Sequence, residues 1–206
     1  MKVRTEARRN AILETAAELF KEMGYERASM NELAKRCGGS KATLYGYFPS
    51  KEELFVAVVE AIATVHLLDA VKELSPEAKS PSTLEAQLTR FGERMLDVLT
   101  NDESALAVYR MVVAEAGRSD VGKLFHDSGP AQATEAIAGF MKAAMDRGEL
   151  RRMEPRIAAQ QFLSLVTAEN DARQFERSPP PMSHRQIRPM VSRAVETFLR
   201  GLAPTT

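Results

Sequence analysis

The sequence predicts an all-α protein of about nine helices, and three observations predict it. Apolar residues recur at helical spacing in almost every segment, and no segment sustains a period of two. Ser-x-x-Glu pairs, in which each side chain satisfies an otherwise orphaned amide, stand where helices would begin: Ser29 with Glu32, Ser50 with Glu53 and Ser82 with Glu85. Gly and Pro punctuate the pattern at Gly24, Gly38-Gly39, Ser75-Pro76, Ser80-Pro81, Gly129-Pro130, Glu154-Pro155 and Pro179-Pro180-Pro181.

The first stripe is Ile12, Ala16, Leu19, Phe20 and Met23, with Gly24 placed as a C-cap. A short helix over about 30–37, a two-glycine turn and a second short helix capped by Ser40 follow. Phe55, Val58, Val59 and Ile62 make the apolar face of a long connector over 51–75. Next come Leu84, Leu88, Phe91, Met95 and Leu99, then Ile137, Phe140, Met141, Ala144 and Met145, closed by Gly148. The last two stripes are Ala158, Phe162, Leu165 and Val166, over about 156–174, and Ile187, Val191, Ala194, Val195, Phe198 and Leu202, over about 184–202. Three consecutive prolines between them predict a stiff loop joining antiparallel helices.

The 44% hydrophobic and 27% charged content is that of a globular protein. Net charge is zero, but residues 1–51 carry ten Lys/Arg against six Glu, about +4, which the rest of the chain balances. A basic N-terminal quarter on an acidic remainder points to a local polyanion site. Cys37 alone cannot form a disulfide framework or a four-thiolate zinc site, and three scattered His lack ligand spacing, so no metal or cofactor is expected. No apolar run approaches the ~18 residues of a membrane span and no secretory h-region follows the charged N-terminus. A cytoplasmic, soluble protein is expected.

The chemistry concentrates in residues 29–55. Leu33, Ala34 and Cys37 give the first short helix an apolar face, and Leu44 and Phe48 give one to the second, so the pair can pack steeply as a helix-turn-helix. Lys41, Thr43, Tyr45 and Tyr47 are left on the other surface of a helix suited to a DNA major groove. Ser40, Leu44-Tyr45, Tyr47-Phe48 and Ser50-Lys51 with Leu54, preceded by Met23-Gly24-Tyr25, resemble the signature of the TetR/AcrR family of transcriptional regulators over about residues 8–56. The resemblance implies that Tyr47 and Lys51 hold phosphates, that Ser29 and Ser40 meet phosphate at helix N-termini, and that Lys41, Ala42, Thr43 and Tyr45 face base edges. Lys2, Arg4, Arg8 and Arg9 could reach a neighbouring backbone or minor groove, against the reading of Lys2 and Arg4 as a frayed, solvated terminus. The chain departs from the family in having Gly39, where an apolar residue is usual, which predicts a looser turn. Gly46 inside the second helix costs roughly 1 kcal/mol against Ala and permits close backbone approach.

A DNA-binding domain over 1–52 and a sensing and pairing domain over 53–206 follow. Arg90 to Arg94, Tyr109 to Ala116, Gly148 to Leu150 and Ala158 to Phe162 resemble the AefR-like subgroup of TetR C-terminal domains. Phe91, Met95, Met111, Phe125, Phe140, Met141 and Phe162 are candidate lining for a small, largely apolar effector, or simply core. His66 and Arg110 are candidate polar contacts to that effector, against the ordinary readings of a satisfied core histidine and a solvated or mutually paired charge; Glu115 has the same readings as Arg110. The final helix pair resembles the family's dimerisation hairpin, which implicates Phe162, Leu165, Val166, Ile187, Val191, Ala194, Val195 and Phe198, unless these helices cap the protomer's own core. A homodimer would read a palindromic operator in double-stranded DNA as a ligand-released repressor. A helical interaction module, an activator and a small helical enzyme are the rivals, the last without any nucleophile motif or phosphate loop.

Overall fold

The computed structural model describes residues 5–74, 83–117, 119–176 and 178–204, with all their side chains except those of 63–67 and 174. Lys2, Arg4, Ser82, the two Ser-Pro breaks between 75 and 81, and the side chain of His66 lie outside the described residues. The described chain is helical with no strand, in the order α1 (Glu6–Arg27), α2 (Met30–Arg36), α3 (Lys41–Tyr47), α4 (Lys51–Val59), a π-helical turn (Glu60–Thr64), α5 (Val65–Val71) and a 3-10 turn (Lys72–Leu74). Then follow α6 (Leu84–Asn101), α7 (Glu103–Glu115), α8 (Val121–Asp127), α9 (Pro130–Asp146), α10 (Pro155–Thr167), a 3-10 turn (Asp171–Phe175) and α11 (His184–Gly201). Counting 51–74 as one connector, this is ten helices.

Two boundaries differ from the sequence expectation. Thr83, not Ser82, caps α6, its hydroxyl accepting from the Ala86 amide at 3.2 Å. The helix expected over 156–174 stops at Thr167, whose hydroxyl turns back to the Leu163 carbonyl at 3.2 Å before a turn and the short 3-10 segment. Pro189 lies inside α11, where its missing amide leaves one helical bond unmade.

The chain divides into two compact units, residues 1–65 with 104–129, and residues 66–103 with 130–206. In the first, Ile12, Leu19, Phe20, Leu33, Leu44, Phe48 and Leu54 bury one face of each of α1 to α4, and Val108, Met111, Val112 and Val121 of α7 and α8 join the same core. Phe55, fully buried, stands edge-on to Phe20 at 5.8 Å and to Tyr25 at 5.2 Å between centroids, an arrangement that matches ring edges to ring faces. Gly24, at φ +76°, ends the regular run of α1 and lets the chain turn into Tyr25.

The second unit packs α6, α9, α10 and α11 around Phe91, Phe162 and Phe198. Asn101 clips the segment before α11: its side-chain amide donates to the Met182 carbonyl at 2.9 Å and its carbonyl accepts from the Met182 amide at 2.8 Å. Ser183 then starts α11, its amide donating to Gln186 Oε1 at 3.0 Å. Gly92 permits the closest approach of α6 to α11, since a Cβ there would stand 2.7 Å from Val191 Cγ1, a stiff and fully buried methyl. Gly92→Ala gains about 1 kcal/mol of helix propensity but overpacks the crossing by about 1–3 kcal/mol. Net destabilisation is therefore expected, read as a lower urea midpoint with an unchanged slope; a raised midpoint would contradict it.

Candidate nucleic-acid interface

Three local devices shape α2, the corner and α3. Ser29 caps α2, its Oγ accepting from the Glu32 amide at 3.1 Å. At the other end Gly38 sits at φ +61°, its amide donating to the Lys35 carbonyl at 3.0 Å while the Gly39 amide donates to the Ala34 carbonyl at 3.1 Å. That is the Schellman closure, which needs a left-handed residue and therefore favours glycine at 38. Ser40 opens α3, its Oγ accepting from the Thr43 amide at 3.1 Å and lying 2.9 Å from Thr43 Oγ1. Leu44 and the C-cap residue Phe48 are buried against α1 and α2, which points the rest of α3 outward.

Lys41, Ala42 and Tyr45 stand exposed on that outward face, Tyr45 at 39%, while Thr43, Gly46 and Tyr47 are half-buried at its margin. The Lys41 ammonium lies 5.7 Å from the Tyr45 ring centroid, one helical turn on. Tyr47 Oη accepts from the Thr5 amide at 3.0 Å, which leaves its own O–H free to donate. Lys51, in the first turn of α4, donates to the Tyr25 carbonyl at 3.0 Å and sits 4.1 Å from the Tyr25 ring centroid. It also reaches the Glu26 carbonyl at 3.5 Å, and of its three N–H groups one is left for an anion.

Tyr25 holds this ammonium, and Glu52 in turn holds Tyr25. The Tyr25 hydroxyl donates to Glu52 Oε1 at 3.2 Å. Burial, reinforced by the Glu52 charge, pushes that phenol well above its ordinary pKa. The Glu52 carboxyl is held below its ordinary value, chiefly by a backbone amide at the start of α4, then by the Tyr25 and Ser50 hydroxyls. The charge of Arg36 on α2 is taken, pairing with Glu22 at 2.7 Å and Glu32 at 3.3 Å. Sequence reasoning missed both the Tyr25–Lys51 pair and the Thr5–Tyr47 bond, because each joins residues far apart in the chain.

Residues 12–58 match the tetR family of bacterial regulatory proteins, and residues 86–203, more than half the chain, match the C-terminal domain of AefR-like transcriptional repressors. The chain belongs to the TetR family. Among its relatives, the regulator UidR of Escherichia coli is 28% identical over 162 residues, 73% of this chain and 72% of UidR. The activator FasR of Mycolicibacterium smegmatis is 31% identical over 105 residues, 51% of this chain but only 45% of FasR. A TetR-family regulator from Mesorhizobium loti superposes with a TM-score of 0.80 at 24% identity, over 98% of this chain and 100% of its own. The flavonoid-responsive regulator FrrA superposes at 0.78 with 29% identity, over 98% and 100%. Fold and relatives are those of transcriptional regulators.

Elsewhere in this TetR-family chain the candidate effector residues fall into two groups. Met111 belongs to the core of the first unit, Phe125 packs half-buried against it, and Arg110, immediately before Met111 on α7, is half-buried. Met111 borders a small cavity of about 20 Å³ with Phe20, Val58 and Ile62, about the size of one water. Phe91, Met141 and Phe162 lie fully buried in the core of the second unit, with Met95 and Phe140 half-buried at its edge. Glu115 Oε2 is buried and has no hydrogen-bond partner among the described residues.

Of the eight candidate pairing residues, Phe162, Val166, Ile187, Val191, Ala194, Val195 and Phe198 are buried in the protomer's own core. Leu165 is half-buried, and with Phe198 it borders an open groove of about 720 Å³ between α10 and α11. Apart from Leu165, the apolar stripes that the sequence marked out therefore face inward. Among the described residues no helix is long and apolar enough to cross a membrane, and no cluster of His, Cys, Asp and Glu could hold a metal ion.

Proposed function

We propose that the protein is a ligand-responsive repressor that binds a palindromic operator in double-stranded DNA as a homodimer and releases it on binding a small, largely apolar effector. The outward face of α3, with Lys41, Ala42 and Tyr45 exposed and the donors Tyr47 and Lys51 following at its end and at the start of α4, is the observation that carries it. Residues 1–52 would read DNA, and residues 53–206 would sense and pair. Repression draws support from the match to AefR-like repressors, and FrrA's response to flavonoids supports a flat apolar effector. Activation is the second reading, favoured by the likeness to FasR. The effector would enter by repacking Phe91, Met95, Phe140 and Met141, since unbranched Met adapts its shape readily. Pairing would use the groove side of α10 and α11, where Ile157, Gln161, Ser164 and Leu165 line the opening.

Selection from random duplex DNA with the purified chain tests the reading. Enrichment of a palindrome, with log affinity falling by about 0.9 per log unit of salt for each neutralised phosphate, is expected. Enrichment of nothing would turn attention to a helical interaction module. On the selected operator, Thr43→Ala is expected to relax the preference at one base position per half-site, by about 1–3 kcal/mol of discrimination, without altering the salt slope. The Ser40 cap accepts from the Thr43 backbone and survives this change. An unaltered base preference would remove Thr43 from the recognition surface.

A further inference from the structure

The corner between α2 and α3 has no side chain at its crest, and a residue from α1 fills the gap. Arg8 Nη2 donates to the Cys37 carbonyl at 2.7 Å, half-buried, 29 positions away in sequence. The same nitrogen lies 3.0 Å from where a Cβ on residue 39 would stand, so the space that any side chain at 39 would claim is held by the Arg8 guanidinium. Gly39 shows no left-handed φ, so what an added Cβ there meets is this guanidinium. Two further grips from the first turn of α1 reach the far end of α3. The Thr5 amide donates to Tyr47 Oη at 3.0 Å, and the Arg9 guanidinium lies 5.4 Å from the Phe48 ring centroid. Residues 5–9 thus hold the seven-residue α3 at both ends.

We infer that Arg8 is a positioning residue for base recognition, acting through the α2–α3 turn, and that Gly39 is its necessary partner. The inference rests on the DNA-reading role proposed above for α3. A helix of two turns cannot keep its own direction; its anchors set it. Two adjacent glycines make this corner the freest backbone in the motif once the brace is gone. Base-edge hydrogen bonds need side chains held within about 0.5 Å and 10–20°, whereas attraction to the phosphate backbone tolerates more displacement. Loss of the brace therefore costs sequence preference before it costs attachment to DNA. The guanidinium suits the task because its rigid fork can bond the carbonyl while filling the space beside residue 39, which a lysine ammonium, a point donor, cannot do.

A phosphate contact would be the other use of an arginine here, and salt separates the two. With the full chain and its selected operator, affinity and salt slope are measured for wild type, Arg8→Ala, Arg8→Lys, Gly39→Ala and the Arg8→Ala, Gly39→Ala double variant. Each single variant is expected to weaken operator binding roughly tenfold and non-operator binding by less than about twofold, with the salt slope unchanged. The double variant is expected to be no worse than Arg8→Ala, because the added Cβ competes only with Arg8. Additive losses in the double variant would overturn the inference. So would a slope shallower by about 0.9 per protomer in Arg8→Ala, with operator and non-operator DNA weakened alike. If the wild-type chain enriches no duplex, the DNA-reading proposal falls and the recognition role of Arg8 with it. The brace is then judged by melting temperatures of the same variants, where sub-additive losses support it and additive losses reject it.

Discussion

Phe162→Ala is expected to destabilise the second unit by about 3–5 kcal/mol, the range for removing a fully buried aromatic side chain. Phe162 is 0% exposed, and its ring lies 5.9 Å from Phe91 and 5.1 Å from Phe198 between centroids. It therefore joins α6, α10 and α11 at the centre of their packing, where the surrounding rings cannot collapse into the space left behind. A loss of that size is a large part of the ~5–15 kcal/mol that holds a domain folded. At roughly 2–4 °C per kcal/mol for a chain of this length, melting should fall by about 6–20 °C. The same residue had been open to two other uses, effector lining and dimer contact. A Phe162→Ala protein that melts like the wild type would return it to those uses and remove it from the core.

What the sequence revealed and what it hid divide along physical lines. The caps at Ser29, Ser40 and Ser50 and the glycine closure at Gly38 are legible because each hydrogen bond joins residues three to five apart. The recognition helix could be outlined for the same reason. Periodicity likewise marks Phe91, Met111, Met141 and Phe162 as buried, but it does not say against what. Met111 belongs to the core built with α1 and α4, and Phe162 to the core of α6 and α11, yet both stripes look alike in sequence. The inward turn of Val166, Val191 and Val195 was hidden in the same way, since an apolar stripe is equally consistent with a protomer core and with a partner. Grips such as Arg8 on Cys37, Thr5 on Tyr47 and Lys51 on Tyr25 span 26 to 42 positions, and no local pattern announces them. Gly39 was the one visible trace of the first: a missing side chain that only the fold shows to be replaced.

Lys51→Ala is expected to weaken binding to operator and non-operator DNA alike, by about tenfold or more, since a charge-assisted bond contributes about 1.5–3 kcal/mol. The reason lies in how Lys51 is held. Its ammonium rests 4.1 Å from the Tyr25 ring centroid and bonds the Tyr25 carbonyl at 3.0 Å, so a phosphate arriving at the start of α4 meets a cation already oriented. The salt slope should become shallower by about 0.9 for each protomer that loses the contact, hence by about 1.8 for a dimer and about 0.9 for a monomer. One substitution thereby counts the subunits on the operator. Tyr47→Phe removes a neutral hydroxyl and should weaken binding severalfold with no change of slope, while also releasing the Thr5 amide that Tyr47 Oη accepts at 3.0 Å. Melting temperature separates these effects from unfolding, because Lys51 also steadies Tyr25 in the first core. A Lys51→Ala chain that is folded and keeps both its affinity and its salt slope would remove Lys51 from the DNA surface. The start of α4 would then serve only to brace Tyr25, and attachment to the backbone would fall to Lys41 of α3, Tyr47 and Arg9.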